Sequence, residues 1–354
     1  MSHPYEALPP HAFWRAAVAD RDMSDIADLW VPKIRISKGD TLATAGSCFA
    51  QHLSRAMVQA KFCWLEAEPA PPQLSTALAR SYGYGVFSFR TGNIYTASML
   101  RQWVEAAFDL KPLDAELWER EGRIYDPLRP AIEVNGFATV AECLALREQS
   151  LAAIRKVLSE VDLFVFTLGL TESWKNRVTG LTYAACPGTL AGTFLPEDHV
   201  FHNQTYPEVK ADLEATFDCI RQHNPSVKFL LTVSPVPLVA SASGQHVLPS
   251  TVYSKSVLRA VAGDLCAQAE DLDYFPSYEI ITSHPFRGRF FRPNQREVAG
   301  AGVDFVMRHF FAGIGGGDAP SDRRTDLGPV PASPTDEPDD DIQCEEALLE
   351  AFSK

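Results

Sequence analysis

The stretch DTLATAGSCFAQHL, Asp40 to Leu53, opens with alternating small and apolar residues, passes through Gly46-Ser47-Cys48 and continues with the pattern of a helix. A buried strand that bends at a glycine and hands over to a helix is the unit from which parallel sheets are built. A serine at such a bend exposes its hydroxyl beside backbone N–H groups at the positive end of the helix dipole. That arrangement suits an attacking oxygen next to a site for a developing oxyanion. A plain N-cap is the bland alternative for Ser47. Gly46 frees the backbone for close approach and so favours the first reading.

Working outward, the same strand-then-helix rhythm recurs. Further strands are expected at LFVFTL from Leu163, KFLLTVSP from Lys228 and YFPSYEIIT from Tyr274. The helix before the second strand carries Leu144, Leu151, Ile154, Leu158 and Val161 on one apolar face. Another carries Val209, Leu213, Phe217 and Ile220 and stops at Asn224-Pro225. Two more are expected near Lys255 to Asp271 and Arg296 to Phe311. The pattern predicts an α/β fold, a parallel sheet with helices on both faces.

Such sheets bind ligands beyond the carboxyl ends of their strands. The exits here are Gly46-Ser47-Cys48, then Gly169-Leu170-Thr171-Glu172-Ser173-Trp174, then Ser234-Pro235-Val236-Pro237, then Ser283-His284-Pro285. Two exits open long loops, Arg177 to Tyr206 with His199 and His202, and Pro237 to Tyr253 with His246 and Ser250. Loops this long at a ligand edge point to substrate enclosure.

Composition bounds the function. The chain has 354 residues, 46% hydrophobic and 10% aromatic, ordinary for a soluble globular protein. A net charge of −13 argues against a nucleic-acid partner. From Gly313 onward 11 Asp plus Glu stand against 3 Lys plus Arg, so residues 1–312 form the expected folded domain and 313–354 an expected disordered acidic tail. Within that tail, Ile342, Ala347, Leu348, Leu349 and Phe352 mark a short amphipathic segment, either a docking peptide for a protein partner or a frayed end. Seven scattered cysteines with no CxxC pair suggest neither a disulfide framework nor a zinc site. No leader pattern or membrane span is legible, which places the expected location in the cytoplasm. With no GxGxxG fingerprint or metal-ligand spacing, neither a cofactor nor a metal is expected.

The run ATAGSCFAQHL, with Gly46-Ser47-Cys48-Phe49-Ala50 at its centre, resembles the GSCFA family. The likeness extends through DIADLWVPK, GNIYTASMLRQW, LGLTESW, NPSVKFLLTVSPVPL, YSKSVLR and YFPSYEII, and leaves the tail outside. That family is similar to the SGNH, or GDSL-like, hydrolases. The resemblance implies a three-layer flavodoxin-like sheet with Ser47 as nucleophile after the first strand. It also implies an oxyanion site at Gly92-Asn93 and at Gly169-Leu170-Thr171-Glu172, where Thr171 stands in place of the usual asparagine. Aligned with the DxxH motif that supplies the base, RFFRPNQREV puts Asn294 and Glu297 where Asp and His are usual.

Three groups are therefore candidates for the base: His284, His202 and Glu297. His284 leads because it follows an expected strand; a backbone-bonded strand-end residue is its bland alternative. Glu297 also reads as a first-turn helix residue, and Glu172 as a helix-cap acceptor. Cys48 is the second choice for nucleophile, since adjacent helical side chains diverge and the one after the bend usually packs inward. Trp103, Phe108, Trp118 and Tyr125 read as core or rim packing, with a sugar platform as the alternative; Arg287 and Arg289 read as solvated near a turn, with a carboxylate or sulfate site as the alternative. The implied function is a serine esterase or O-acyltransferase acting on a small-molecule, glycan or lipid ester. The alternative is a non-catalytic binding or interaction protein on the same fold.

Overall fold

The computed structural model describes residues 3–315 and 345–352; most of the acidic tail lies outside the described residues. In chain order, β1 (Thr41–Gly46) leads to α1 (Ala50–Gln59) and β2 (Cys63–Trp64), and α2 (Thr76–Ser81) and α3 (Ala97–Ala107) follow. A hairpin of β3 (Trp118–Arg120) and β4 (Arg123–Tyr125) precedes α4 (Val140–Glu160), which feeds β5 (Leu163–Leu168). Next come β6 (Glu172–Asn176), β7 (Thr182–Tyr183), β8 (His199–Asn203), α5 (Tyr206–His223), β9 (Lys228–Val233) and α6 (Val247–Gln268). β10 (Leu272–Phe275), α7 (Ser277–Thr282) and α8 (Gly300–Gly313) complete the domain.

Five strands pair in parallel in the order β10-β9-β5-β1-β2. Renumbered along the chain this is 2-1-3-4-5, the flavodoxin-like order, whose ligand crevice opens where the winding reverses, between β1 and β5. Side chains alternate between two cores as the pleat requires. Ala43, Ala45, Phe164, Phe166, Phe229 and Leu231 face the core that holds residues of α3 to α6. Leu42, Leu163, Val165 and Leu230 face the other, with residues of α1, α7 and α8. Trp103, Phe108, Trp118 and Tyr125 are all buried in the first core. The helices start where their caps allow: Thr139 accepts from the Glu142 N–H at 3.1 Å before α4, and Thr205 and Glu208 form a capping box at α5.

Four expectations need correction. The fourth strand stops at Phe275, because Pro276 has no N–H for the ladder, and Ser277–Thr282 is helical with Ile280 and Ile281 buried. His284 therefore follows a helix and not a strand. The first long loop contains β7 and β8, which pair antiparallel with β6, so Glu172 lies in a strand and caps no helix. The second is shorter than expected, since α6 begins at Val247 with the His246 ring accepting from the Leu248 N–H at 3.1 Å. The last helix begins at Gly300, and Glu297 sits before it in a turn closed by the Phe291 and Val298 bridge.

Candidate active site

β1 and β5 end side by side, with Gly46 opposite Thr167 in register. Gly46 has φ +137°, and a Cβ there would lie 2.5 Å from the Thr167 carbonyl oxygen, so only glycine fits this bend. Ser47 follows it, 2% exposed. Its N–H donates to the Thr167 carbonyl at 3.0 Å and its carbonyl accepts from the Ala50 N–H at 2.9 Å. Helix α1 starts only at Ala50, with Phe49 as N-cap, so Ser47 is not the cap and its own N–H is already committed. Its hydroxyl is buried, which corrects the expectation that the bend exposes it, and it has no hydrogen-bond partner among the described residues. The Thr167 hydroxyl at the same strand end is in the same condition.

Three of the expected segments meet here. The Ile94 N–H donates to the Gly46 carbonyl at 2.8 Å, and the Tyr95 carbonyl accepts from the N–H groups of Gly169 (3.0 Å) and Leu170 (2.9 Å). The segment from Gly92 to Tyr95 thus laces the ends of β1 and β5 together. Gly92 turns it with φ +67°. Asn93 is buried, and its side-chain oxygen accepts from Gln51 Nε2 of α1 at 3.3 Å. Gly169 closes the crevice: a Cβ on it would lie 3.0 Å from both Ser47 Cβ and the Tyr95 carbonyl oxygen.

Thr171, fully buried, is turned away to other work. Its hydroxyl donates to Asn203 Oδ1 at 2.6 Å and its N–H to Ser254 Oγ at 3.0 Å, joining β5 to β8 and α6. Glu172 accepts from Ser241 Oγ at 2.7 Å; burial pushes its carboxyl above the usual range, opposed by the bonds from Ser241 and Ala242. Tyr95, Leu170, Glu172 and Trp174 line a cavity of about 470 Å³ beside the crevice. A wider polar groove of about 760 Å³, with Gln102, Lys175 and Asp212 in its wall, touches none of the sheet's strand ends.

None of the three expected bases hydrogen-bonds Ser47 Oγ. His284 is exposed and stacks on Trp14, ring centroids 5.3 Å apart. His202 lies in β8 with Nε2 3.1 Å from Glu208 Oε1. Burial and the Lys175 charge hold its imidazole below the usual histidine range, with Glu208 pulling the other way. Glu297 is 3.6 Å from Arg292 Nε, its side chain about half exposed. Cys48 is buried, as the inward-packing argument expects.

One residue escaped the sequence reading. Lys255 is 1% exposed, and its ammonium donates to the Gly169 carbonyl at 2.7 Å, bracing the residue that faces Ser47. A signal was present: Lys255, Leu258, Ala262 and Leu265 step by 3, 4 and 3 along one buried face of α6. Among the described residues no three or more His, Cys, Asp or Glu side chains gather as a metal site would need, and no helix is long and apolar enough to cross a membrane.

The GSCFA family model matches residues 41–310, more than half of the chain. Among solved structures, the chain is similar to a carbohydrate esterase family 3 protein from Talaromyces cellulolyticus, at 12% identity and a TM-score of 0.35, over 77% of this chain and 94% of that one. It is also similar to an acetyl esterase, a serine-to-alanine mutant solved with an acetate ion, at 11% identity and a TM-score of 0.34, over 76% and 93% of the two chains. No curated protein matches the sequence.

Proposed function

The chain belongs to the GSCFA family, and from that premise and the geometry at Ser47 we propose that it is a serine esterase or O-acyltransferase working through a Ser47 acyl-enzyme. The observation that carries this reading is the buried, unpartnered Ser47 hydroxyl at the point where the sheet reverses its winding. Buried polar groups are almost always bonded, and an exception at a ligand crevice is what a nucleophile awaiting substrate and base would be.

In the proposed reaction, Ser47 Oγ bonds to the ester carbonyl carbon as its proton passes to a base. The bond to the alcohol oxygen then breaks, and the alcohol leaves with a proton. Water or an acceptor hydroxyl attacks the acyl-enzyme and releases Ser47. The Gly92-Asn93 segment is the proposed oxyanion donor, because the Ser47 N–H is held by Thr167. Gly169 faces Ser47 across the crevice, and Thr171 acts from behind it by tying the end of β5 to β8 and α6. Of the three candidate bases we keep His284 first: among the described residues it has no ionic partner, whereas His202 and Glu297 do. The substrate class is a glycan or small-molecule ester, and the scattered cysteines fit a cytoplasmic setting.

The second reading, a non-catalytic ligand-binding protein, draws on the same absence of a base bonded to Ser47. Fluorophosphonate labelling separates the two, since covalent capture requires an activated serine. Wild type should label, Ser47→Ala should not, and Cys48→Ala should. Loss in Cys48→Ala alone would transfer the role to Cys48. No labelling of folded wild type would leave the binding reading.

A further inference from the structure

The cavity next to the crevice has an unusual wall. Leu170, Tyr183, Phe194, Phe201 and Leu238 enclose it, with Trp174 set edge-on to Phe194 (5.1 Å between ring centroids, 82°) and Phe201 (5.6 Å, 62°). No Lys, Arg or His lines it, and Glu172 is its one carboxylate among the described residues. Ser173 Oγ, on the same wall, is buried and has no hydrogen-bond partner among the described residues. A bound anion would meet Glu172 with no cation to offset it, and a sugar would leave most of its hydroxyls unpaired. A neutral alkyl or aryl group has neither problem. At about 470 Å³ the cavity lies within the roughly 300–1,000 Å³ of pockets that enclose small-molecule ligands.

The chain itself presents such groups to it. The C-terminal 3₁₀ helix, Glu345–Phe352, contributes Leu349 and Phe352 to the cavity lining. Three residues apart, they share one side of a helix with three residues per turn. Phe352 remains 63% exposed, so it covers the mouth without filling the interior. A cap that buries so little of itself is weakly held and is displaced by a ligand that buries more.

We propose that this cavity is the subsite for the neutral apolar group of the ester, and that the C-terminal turn is its cap in cis, with Leu349 and Phe352 covering the mouth that the ester must enter. The subsite's link to catalysis rests on the Ser47 reading; its binding of an apolar group does not. Tyr95 and Leu170 in its wall flank the Gly169 contact with Ser47, so an acyl chain entering there leaves its carbonyl at the crevice.

The test uses the full-length chain, wild type against the double substitution Leu349→Asp and Phe352→Asp. Two readouts are followed: binding of the neutral dye Nile red, and the ratio of kcat/KM on p-nitrophenyl octanoate to that on p-nitrophenyl acetate. Releasing the cap should tighten dye binding several-fold and raise the octanoate-to-acetate ratio by a similar factor. Filling the cavity with Ala184→Phe, or with Ala240→Trp at the exposed rim should the first not fold, should abolish both gains. Unchanged dye binding on releasing the cap overturns the cap, and dye binding indifferent to the filling variants overturns the subsite. If no form hydrolyses either ester while dye binding responds as expected, the cavity and its cap stand and the Ser47 reading falls. If both esters are hydrolysed with a fixed ratio and the dye is indifferent, the reverse holds.

Discussion

Asp126 and Ser47 are both sealed from solvent, and the chain treats them in opposite ways. Around the Asp126 carboxylate both oxygens are tied, and of the two guanidinium groups that hold it only Arg129 Nη2 is left without a partner among the described residues. Arg129 Nε donates to it at 3.1 Å, Arg147 through Nε at 3.1 Å and Nη2 at 2.8 Å, and the Leu128 N–H at 3.1 Å. Arg129 also reaches the Arg90 carbonyl (2.7 Å) and Ser150 Oγ (2.6 Å), so the cluster pins the segment after β4 to α4. Around Ser47 the backbone is tied just as firmly while the hydroxyl bonds to nothing described. The first region uses buried polarity to fix a structure. The second fixes the structure around a polar atom and leaves the atom itself unspent, which is a cost that stability alone does not explain.

The largest effect should come from breaking the ion-paired Asp126 cluster. Arg147→Met leaves the buried Asp126 carboxylate with one guanidinium instead of two, and removing one partner of a buried pair typically costs about 3–5 kcal/mol. Urea denaturation should show this loss. A change within error would mean that the cluster is already hydrated. The pH dependence follows in sign. Burial alone would raise the Asp126 carboxyl, but Arg129 and Arg147 together hold it below the usual range. Its contribution is therefore present above the unfolded-state carboxylate pKa and is lost as pH falls through the lower folded value. Asp126→Asn should remove that acid-side dependence.

An intermediate effect is expected at Gly169, where the two kinds of region touch. Its carbonyl is held by buried Lys255, and its Cα faces Ser47. Gly169→Ala introduces a Cβ 3.0 Å from Ser47 Cβ and from a backbone oxygen that has little room to yield. Overpacking of this sort costs about 1–3 kcal/mol. The protein should still fold and should lose fluorophosphonate reactivity out of proportion to its loss of stability. Full reactivity in a folded Gly169→Ala protein would show that the crevice is looser than the contact implies.

What the sequence makes legible follows the same division. β1, β5 and β9 are short apolar runs with faces that alternate between two cores, and their exits announce themselves with Gly46, Gly169 and Ser234. The last strand reads as longer than it is because FPSYEII offers apolar residues on either side of Pro276, and only the missing N–H decides that the ladder ends there. β7 and β8 leave no mark in the sequence because a two-residue strand and HVFHN carry no period of their own; pairing with β6 makes them strands. Ser47, Gly92-Asn93 and Gly169 were legible from position and resemblance, and the structure brings them together. Lys255 was not, because lysine is read as solvated unless the buried face it shares is weighed against its charge.

The smallest expected effect is the most discriminating, because its sign is opposite. If the Ser47 hydroxyl is buried without a partner, the folded state carries a desolvation cost that the unfolded state, bonded to water, does not. Such a cost is about 1–3 kcal/mol for a hydroxyl, and Ser47→Ala removes it while leaving a void of less than one methyl group. The net expectation is a gain of up to about 1 kcal/mol, which for a domain of this size raises Tm by about 2 °C or less. Thr167→Val, at the neighbouring unpartnered hydroxyl, should behave alike in stability, yet in our reading it should leave fluorophosphonate labelling in place. Gaining stability while losing reactivity is the mark of an atom kept for chemistry, and Ser47→Ala alone should show both. A Ser47→Ala protein that melts several degrees lower would mean that the hydroxyl is bonded in solution, and the contrast with Asp126 would disappear.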